Sequence, residues 1–283
     1  MIDLEKMVSE YMKDGYSELF AEARVCQDIV LKAIAKSPMN RNVTIKGGVV
    51  MRSITGDVRR ATRDIDFDFI KYSIEEEAIR SFINKLNCLE GITFQISGDI
   101  EELSQQEYRG KRVWVVIKDD TGHSLKTKMD LGVHKNIQIE QDEFCFDVCH
   151  DEEGVSLLMN SKEQIFAEKL RALVKFGTFS GRVKDIFDLC YLSDYVDTNR
   201  LLDCVHTYIL DDPGMYENDM DDVRERVRKI FSDKDFRETV ETSDKDNWLG
   251  IEATVAFDKI KDFLGKLHDP DNNVIYFRQL QEE

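Results

Sequence analysis

The sequence predicts an α+β fold: a mixed sheet with flanking helices, followed by a C-terminal helical domain. Two observations carry this. Between residues 43 and 149, short apolar runs alternate with period two and are interrupted by two helical patterns. From Ser161 the apolar period lengthens to that of a helix and keeps it to about residue 267. At 283 residues the chain suits one large domain or two ordinary ones. The divisions expected are a helical arm over 1–40, a sheet core over 41–155 and a helical domain over 156–283. The boundary is placed in "HDEEGVSLLMNS", residues 150–161.

Taken in order, residues 3–36 are predicted helical from the spacing of Leu4, Met7, Val8 and Tyr11 and its repeat in "AEARVCQDIVLKAIAKS", closed by Pro38 and Asn40. "NVTIKGG" is a short strand ending in a glycine pair, and "VVMRSITG" a helix halted by Gly56. "RDIDFDFI" alternates strictly, with Ile65, Phe67 and Phe69 on one face and Asp64, Asp66 and Asp68 on the other. "IEEEAIRSFINKLNCL" is an amphipathic helix; "ITFQI", "KRVWVVIKD", "SLKTKMDLGVH" and "EFCFDVC" are strands. "SKEQIFAEKLRALVKFG" opens on a serine cap and stops at Gly177, and "DIFDLCYLSDYV" is a second helix.

Hydrophobic residues make up 42% and charged residues 34%, a soluble balance. No apolar run approaches a membrane span, the start carries no signal-peptide pattern, and the six scattered cysteines suit reduced core thiols; a cytoplasmic protein is expected. A net charge of -17 argues against broad nucleic-acid binding. Two segments depart from it: Arg41–Arg63 carries about +5 and Lys162–Lys184 about +4, which marks them as candidate anion contacts.

Side chains two apart on a strand share a face about 6.6 Å apart. Asp64 and Asp66 can thus converge on one hard cation such as Mg²⁺, with Asp68 peripheral. Aspartate is a poor filler for a merely solvated strand face. Gly47-Gly48, between a strand and a helix, lets backbone N–H groups approach phosphate, although no Walker loop follows.

The blocks "KGGVVM", "RATRDIDF", "KMDLGV" and "KEQIFAEKLRAL" followed by "GRVKDIFDL" resemble those of DNA polymerase β-type nucleotidyltransferases, specifically the AbiEii/AbiGii-type (MenT-like) toxins. The resemblance spans residues 46–189. It implies that Asp64, Asp66 and Asp130 bind two Mg²⁺ ions and that Gly47 and Gly48 face phosphate. It further implies that Arg60, Thr62 and Lys169 contact an NTP, and that Asp185 or Asp188 is the acid of the later helix. Val49 stands where relatives often carry a hydroxyl. The activity implied is transfer of a nucleoside monophosphate to an acceptor, expected to be tRNA. A toxin of a toxin–antitoxin or abortive-infection (phage defence) system, with a helix-turn-helix antitoxin as partner, follows from the same resemblance. The acidic balance keeps protein nucleotidylation open as an alternative, and a non-catalytic nucleotide-binding partner protein is the rival from another class.

On a helical wheel Ile165, Phe166, Leu170, Leu173, Val174 and Phe176 form one apolar arc, and Lys169 falls inside it; Asp185 lies between Leu189 and Leu192. A buried lysine needs a partner or a ligand, so Lys169 is either a phosphate contact or half of an ion pair with Asp185. Cys145-x-x-x-Cys149-His150 is set aside as a zinc motif because no second ligand pair follows at zinc spacing. "DDPGMYENDMDD" lacks the order of a calcium loop and is expected to be solvated.

Overall fold

The computed structural model describes residues 2–103, 110–136 and 138–268. The chain divides into two compact units, Met1–Ser161 and Lys162–Glu283. Residues 269–283, part of the expected C-terminal domain, lie outside the described residues.

The first unit opens with α1 (Leu4–Lys13) and α2 (Glu18–Lys36), so the helical arm is two helices packed on each other. β1 (Val43–Lys46) runs directly into α3 (Gly47–Thr55), and a 3-10 turn at Val58–Arg60 leads to β2 (Ile65–Phe69). α4 (Glu76–Lys85) follows. The remaining strands are β3 (Ile92–Ile96), β4 (Glu101–Leu103), β5 (Gly110–Asp119), β6 (Ser124–Val133), β7 (Asp142–Val148) and β8 (Asp151–Met159).

These strands form one mixed sheet in the order β3-β5-β6-β2-β1-β8-β7, with β4 on β5. β1 with β8 and β2 with β6 are parallel; the other pairs are antiparallel. β8 occupies the stretch in which the domain boundary is expected. Its opening "DEEG" hides an inward row of Val155, Leu157 and Met159, which are buried while Ser156 and Leu158 between them are not. The short β4 is likewise absent from the sequence reading.

The core follows from the alternation. Ile65, Phe67 and Phe69 are fully buried, and both phenylalanines meet Phe82 of α4 with ring centroids 5.4 and 5.1 Å apart. α2 is buried nearly all round, yet it carries Arg24, Gln27, Asp28 and Lys32. Such groups are tolerated only when paired. Arg24 meets Asp28 at 2.6 Å and donates to the Asp147 carbonyl, and Gln27 donates to the Thr62 carbonyl at 2.9 Å. The polar residues of α2 thereby fix strand ends that the apolar ones cannot.

The second unit is helical: α5 (Lys162–Phe176), α6 (Val183–Leu192), α7 (Thr198–Val205), a π-helical turn at His206–Leu210, α8 (Met220–Ser232), α9 (Lys234–Glu241) and α10 (Ala253–Lys266). Phe231 and Phe257 stack at 4.5 Å and Phe166 meets Phe263 at 5.4 Å. The aspartate-rich loop is not simply solvated. Asp219 caps α8 by accepting from the N–H groups of Asp221 and Asp222, and Asp212 is ion-paired with Arg171 at 2.9 Å. Three further residues need correction. Phe176, placed in the apolar arc, is 46% exposed, and Cys88 and Cys145 are exposed rather than core thiols.

Candidate active site

β2 lies between β1 and β6, so its two neighbours fix what stands beside each aspartate. In the parallel pairing Asp66 is opposite Asp130 and Asp68 opposite Gly132. In the antiparallel pairing Lys46 is opposite Asp66, and across β5 Arg112 is opposite Asp130. Asp64 sits one residue before β2. The strand registers thus bring Asp64, Asp66 and Asp130 into one neighbourhood from distant points of the sequence.

Three basic side chains compensate this charge. Arg112 grips Asp130 through two parallel bonds of 2.7 Å, a bidentate fork. Lys128 lies 3.0 Å from Asp64, and Lys46 lies 2.6 Å from Asp68. Asp66 carries none of these pairs. Burial pushes its carboxyl up to about 6, Lys46 opposes the shift, and Asp130, Asp64 and Asp68 add to it. The hydrogen bond to Asp130 raises the Arg112 guanidinium above its ordinary value. Sequence reasoning missed Lys128 and Arg112 and counted Lys46 only among the charges of the first basic segment. A signal existed for Lys128, since K-x-D on a strand puts Lys128 and Asp130 on one face. Asp68 is buried and salt-bridged, with room made by Gly132, where a Cβ would lie 2.0 Å from Asp68 Oδ1.

The glycine turn presses on the same residues. Gly47 has φ +65° and a Cβ there would lie 2.7 Å from Asp66 Oδ2; at Gly48 it would lie 2.4 Å from Thr62 Oγ1. Backbone therefore approaches the carboxylate and the threonine more closely than any side chain would permit. Gly48→Ala is expected to destabilise by roughly 1–3 kcal/mol through overpacking, whereas Gly265→Ala in α10, with open space around it, should be neutral or stabilising. Urea midpoints of the two variants, with nucleotide affinity measured alongside, check this contrast.

The other predicted residues fall as follows. Arg60 is buried in the 3-10 turn, and Thr62 follows it with its carbonyl held by Gln27. Val49 is fully buried, so that position serves packing. In the second unit Lys169 lies 2.5 Å from Asp185 and 2.8 Å from Asp188. Asp188 is fully buried and also accepts from Trp248 Nε1 at 2.9 Å. Both acids therefore share the lysine.

Carboxylates adjacent in register, one of them pushed up to about 6 by burial with its acidic neighbours adding to the shift, fit a divalent cation, with oxygen donors of the kind Mg²⁺ takes. Among the described residues, the groups of potential ligands whose donor atoms all lie within 4.8 Å are Glu10–Cys149–His150 and Asp3–Asp119–His123. Asp64 and Asp130, held by Lys128 and Arg112, do not close so tightly on Asp66.

The mixed sheet followed by a helical unit is an architecture shared with a solved nucleotidyltransferase-type fold. A crystal structure of an H. pylori protein assigned as a nucleotidyltransferase superposes with a TM-score of 0.50 at 15% identity, covering 89% of this chain and 95% of that one. Residues 29–267 match the sequence model described as nucleotidyl transferase AbiEii toxin, type IV TA system, and the chain belongs to that family. Comparison with curated proteins finds no match. Among the described residues no helix is long and apolar enough to cross a membrane.

Proposed function

We propose that the protein is a Mg²⁺-dependent toxin that transfers a nucleoside monophosphate from an NTP to a hydroxyl of tRNA. The observation that carries this is the side-by-side placement of Asp66 and Asp130, with the Gly47 backbone against Asp66. Asp64, Asp66 and Asp130 would hold the metal, which supplies neutralisation of the triphosphate and of charge developing at the reacting oxygens. The acceptor oxygen attacks the α-phosphorus, the bond to the bridging oxygen breaks, and pyrophosphate leaves. Asp130 takes the acceptor proton once Arg112 releases it. If the carboxylates held a cation, Arg112 and Lys128 would be available to meet phosphate oxygens, a role charge-assisted bonds suit. Gly47 and Gly48 offer backbone N–H groups at the start of α3, and Arg60 and Thr62 frame the same turn. Lys169, engaged by Asp185 and Asp188, fixes α5 against α6. The family implies an antitoxin partner; the proposal adds that this partner is a helix-turn-helix protein and that the pair takes part in phage defence. The sheet core and the helical second domain are taken to divide this work between catalysis and acceptor binding.

Incubation with each α-labelled NTP, Mg²⁺ and total tRNA should place label on RNA. Label on a protein band instead would establish protein nucleotidylation, and no label in any extract would favour a non-catalytic nucleotide-binding role. For tRNA, binding should weaken steeply with salt because neutralised phosphates release counterions. Within the two basic segments the candidate contacts expected from the sequence are Arg52, Arg59, Arg63, Arg171, Lys175 and Arg182, and the set needs revision. Arg52 is buried, with its guanidinium lowered to about 10 by burial and by Arg24, Arg59 is tied to Asp57, and Arg171 to Asp212. Arg63 and Arg182 are exposed. The double variant Arg63→Glu/Arg182→Glu should weaken tRNA binding and flatten its salt dependence, read by filter binding at low and physiological salt; an unchanged slope refutes these contacts.

A further inference from the structure

Near the turn joining β7 to β8, Cys149 and His150 meet Glu10 of α1. Glu10 Oε2 lies 3.1 Å from His150 Nε2 and 3.6 Å from Cys149 Sγ, and all three donor atoms lie within 4.8 Å of one another. Tetrahedral zinc, with bonds of about 2.0 Å to oxygen and nitrogen and about 2.3 Å to sulfur, requires ligand separations of about 3.3 Å and about 3.5 Å. The two edges from Glu10 already stand near those lengths, and the Cys149–His150 edge lies within 4.8 Å. Their support is built in. The Cys149 N–H donates to the buried Asp28 carboxylate at 2.9 Å, and its carbonyl accepts from Lys32 Nζ at 2.5 Å. The Cys149 peptide is thus clamped from both sides by α2, and outer partners of this kind orient metal ligands. His150 takes a left-handed φ of 57°, unusual for a non-glycine residue.

We infer that Glu10, Cys149 and His150 form a zinc-type metal site, separate from the aspartate cluster, that ties α1 to the β7–β8 turn. Thiolate, imidazole and carboxylate together suit Zn²⁺ over Mg²⁺, and the fourth position is open to water. Cys145 takes no part, since its thiol donates to the Glu153 carbonyl at 3.2 Å. The zinc spacing absent from the sequence is supplied instead by a residue on the first helix. The second group, Asp3–Asp119–His123, lacks this character because Asp119 is consumed by the N–H groups of Leu4, Thr121 and His123.

The test uses the reduced full-length protein titrated with Co²⁺. Roughly one equivalent should bind with a thiolate-to-cobalt charge-transfer band, displaced by Zn²⁺. Cys149→Ser should abolish the band, and Glu10→Gln or His150→Gln should weaken Co²⁺ binding by more than the ten- to hundredfold typical of outer-shell partners. Asp66→Asn should leave the band unchanged, which separates this site from the nucleotidyl-transfer centre. Absence of the band in the wild type, its survival in Cys149→Ser, or its loss in Asp66→Asn overturns the inference.

Discussion

Asp66→Asn is expected to lower nucleotidyl transfer at least about a thousandfold, equivalent to about 4 kcal/mol of transition-state stabilisation, while making the metal-free protein more stable at pH 7. Folding moves the Asp66 carboxyl from 3.8 up to about 6. Between those values the folded chain binds more protons than the unfolded one, so stability falls as pH rises through the window. At about 1.4 kcal/mol per unit the loss is about 3 kcal/mol, complete above pH 6. Asparagine removes it. Urea midpoints in chelator should therefore favour the variant at pH 7 and converge with the wild type near pH 4. Mg²⁺ should raise the melting temperature of the wild type alone, since a ligand stabilises only the state that binds it. The same substitution should relieve growth arrest if the wild type is toxic when expressed without its antitoxin. An active variant no more stable than the wild type at pH 7 would remove Asp66 from both roles.

The second large effect falls on Lys169. Its ammonium is shared by Asp185 and the fully buried Asp188. Lys169→Ala takes the ammonium from two carboxylates in the helical unit, leaving Asp188 with Trp248 Nε1 and Asp185 with Arg182 at 3.7 Å, and losing one partner of a buried ionic group costs roughly 3–5 kcal/mol. A chemical denaturation curve should show that loss with the slope preserved. A phosphate-binding lysine would behave in the opposite way, with weaker NTP affinity and an unmoved midpoint. Measuring both quantities on one variant separates the two.

Much of this was legible in the sequence where a residue's neighbours are local. The alternation of Ile65, Phe67 and Phe69 against Asp64, Asp66 and Asp68 specifies β2, and the glycine pair marks where β1 gives way to α3. Lys169 inside an apolar arc announces a charge that must be paired, yet the arc cannot say that Asp188 shares it. Strand pairing is invisible to periodicity. Nothing in "GKRVWVV" tells that Arg112 faces Asp130, because register is a property of two strands. β8 escaped because its first residues are acidic and only its inward half alternates. The polar residues of α2 escaped for a related reason: a helix buried all round shows no single apolar face.

The parallel pairing of β2 with β6 also has a kinetic consequence. Hairpins such as β5–β6 and β7–β8 close from short loops, whereas joining β2 to β6 requires the whole intervening chain to be gathered first, at an entropic cost local contacts do not bear. On the ribosome, Asp66 emerges long before Asp130, and until β6 docks beside β2 the nascent chain holds half a site. The chain should therefore be harmless until the sheet closes, an interval in which a partner protein could be made and could reach it.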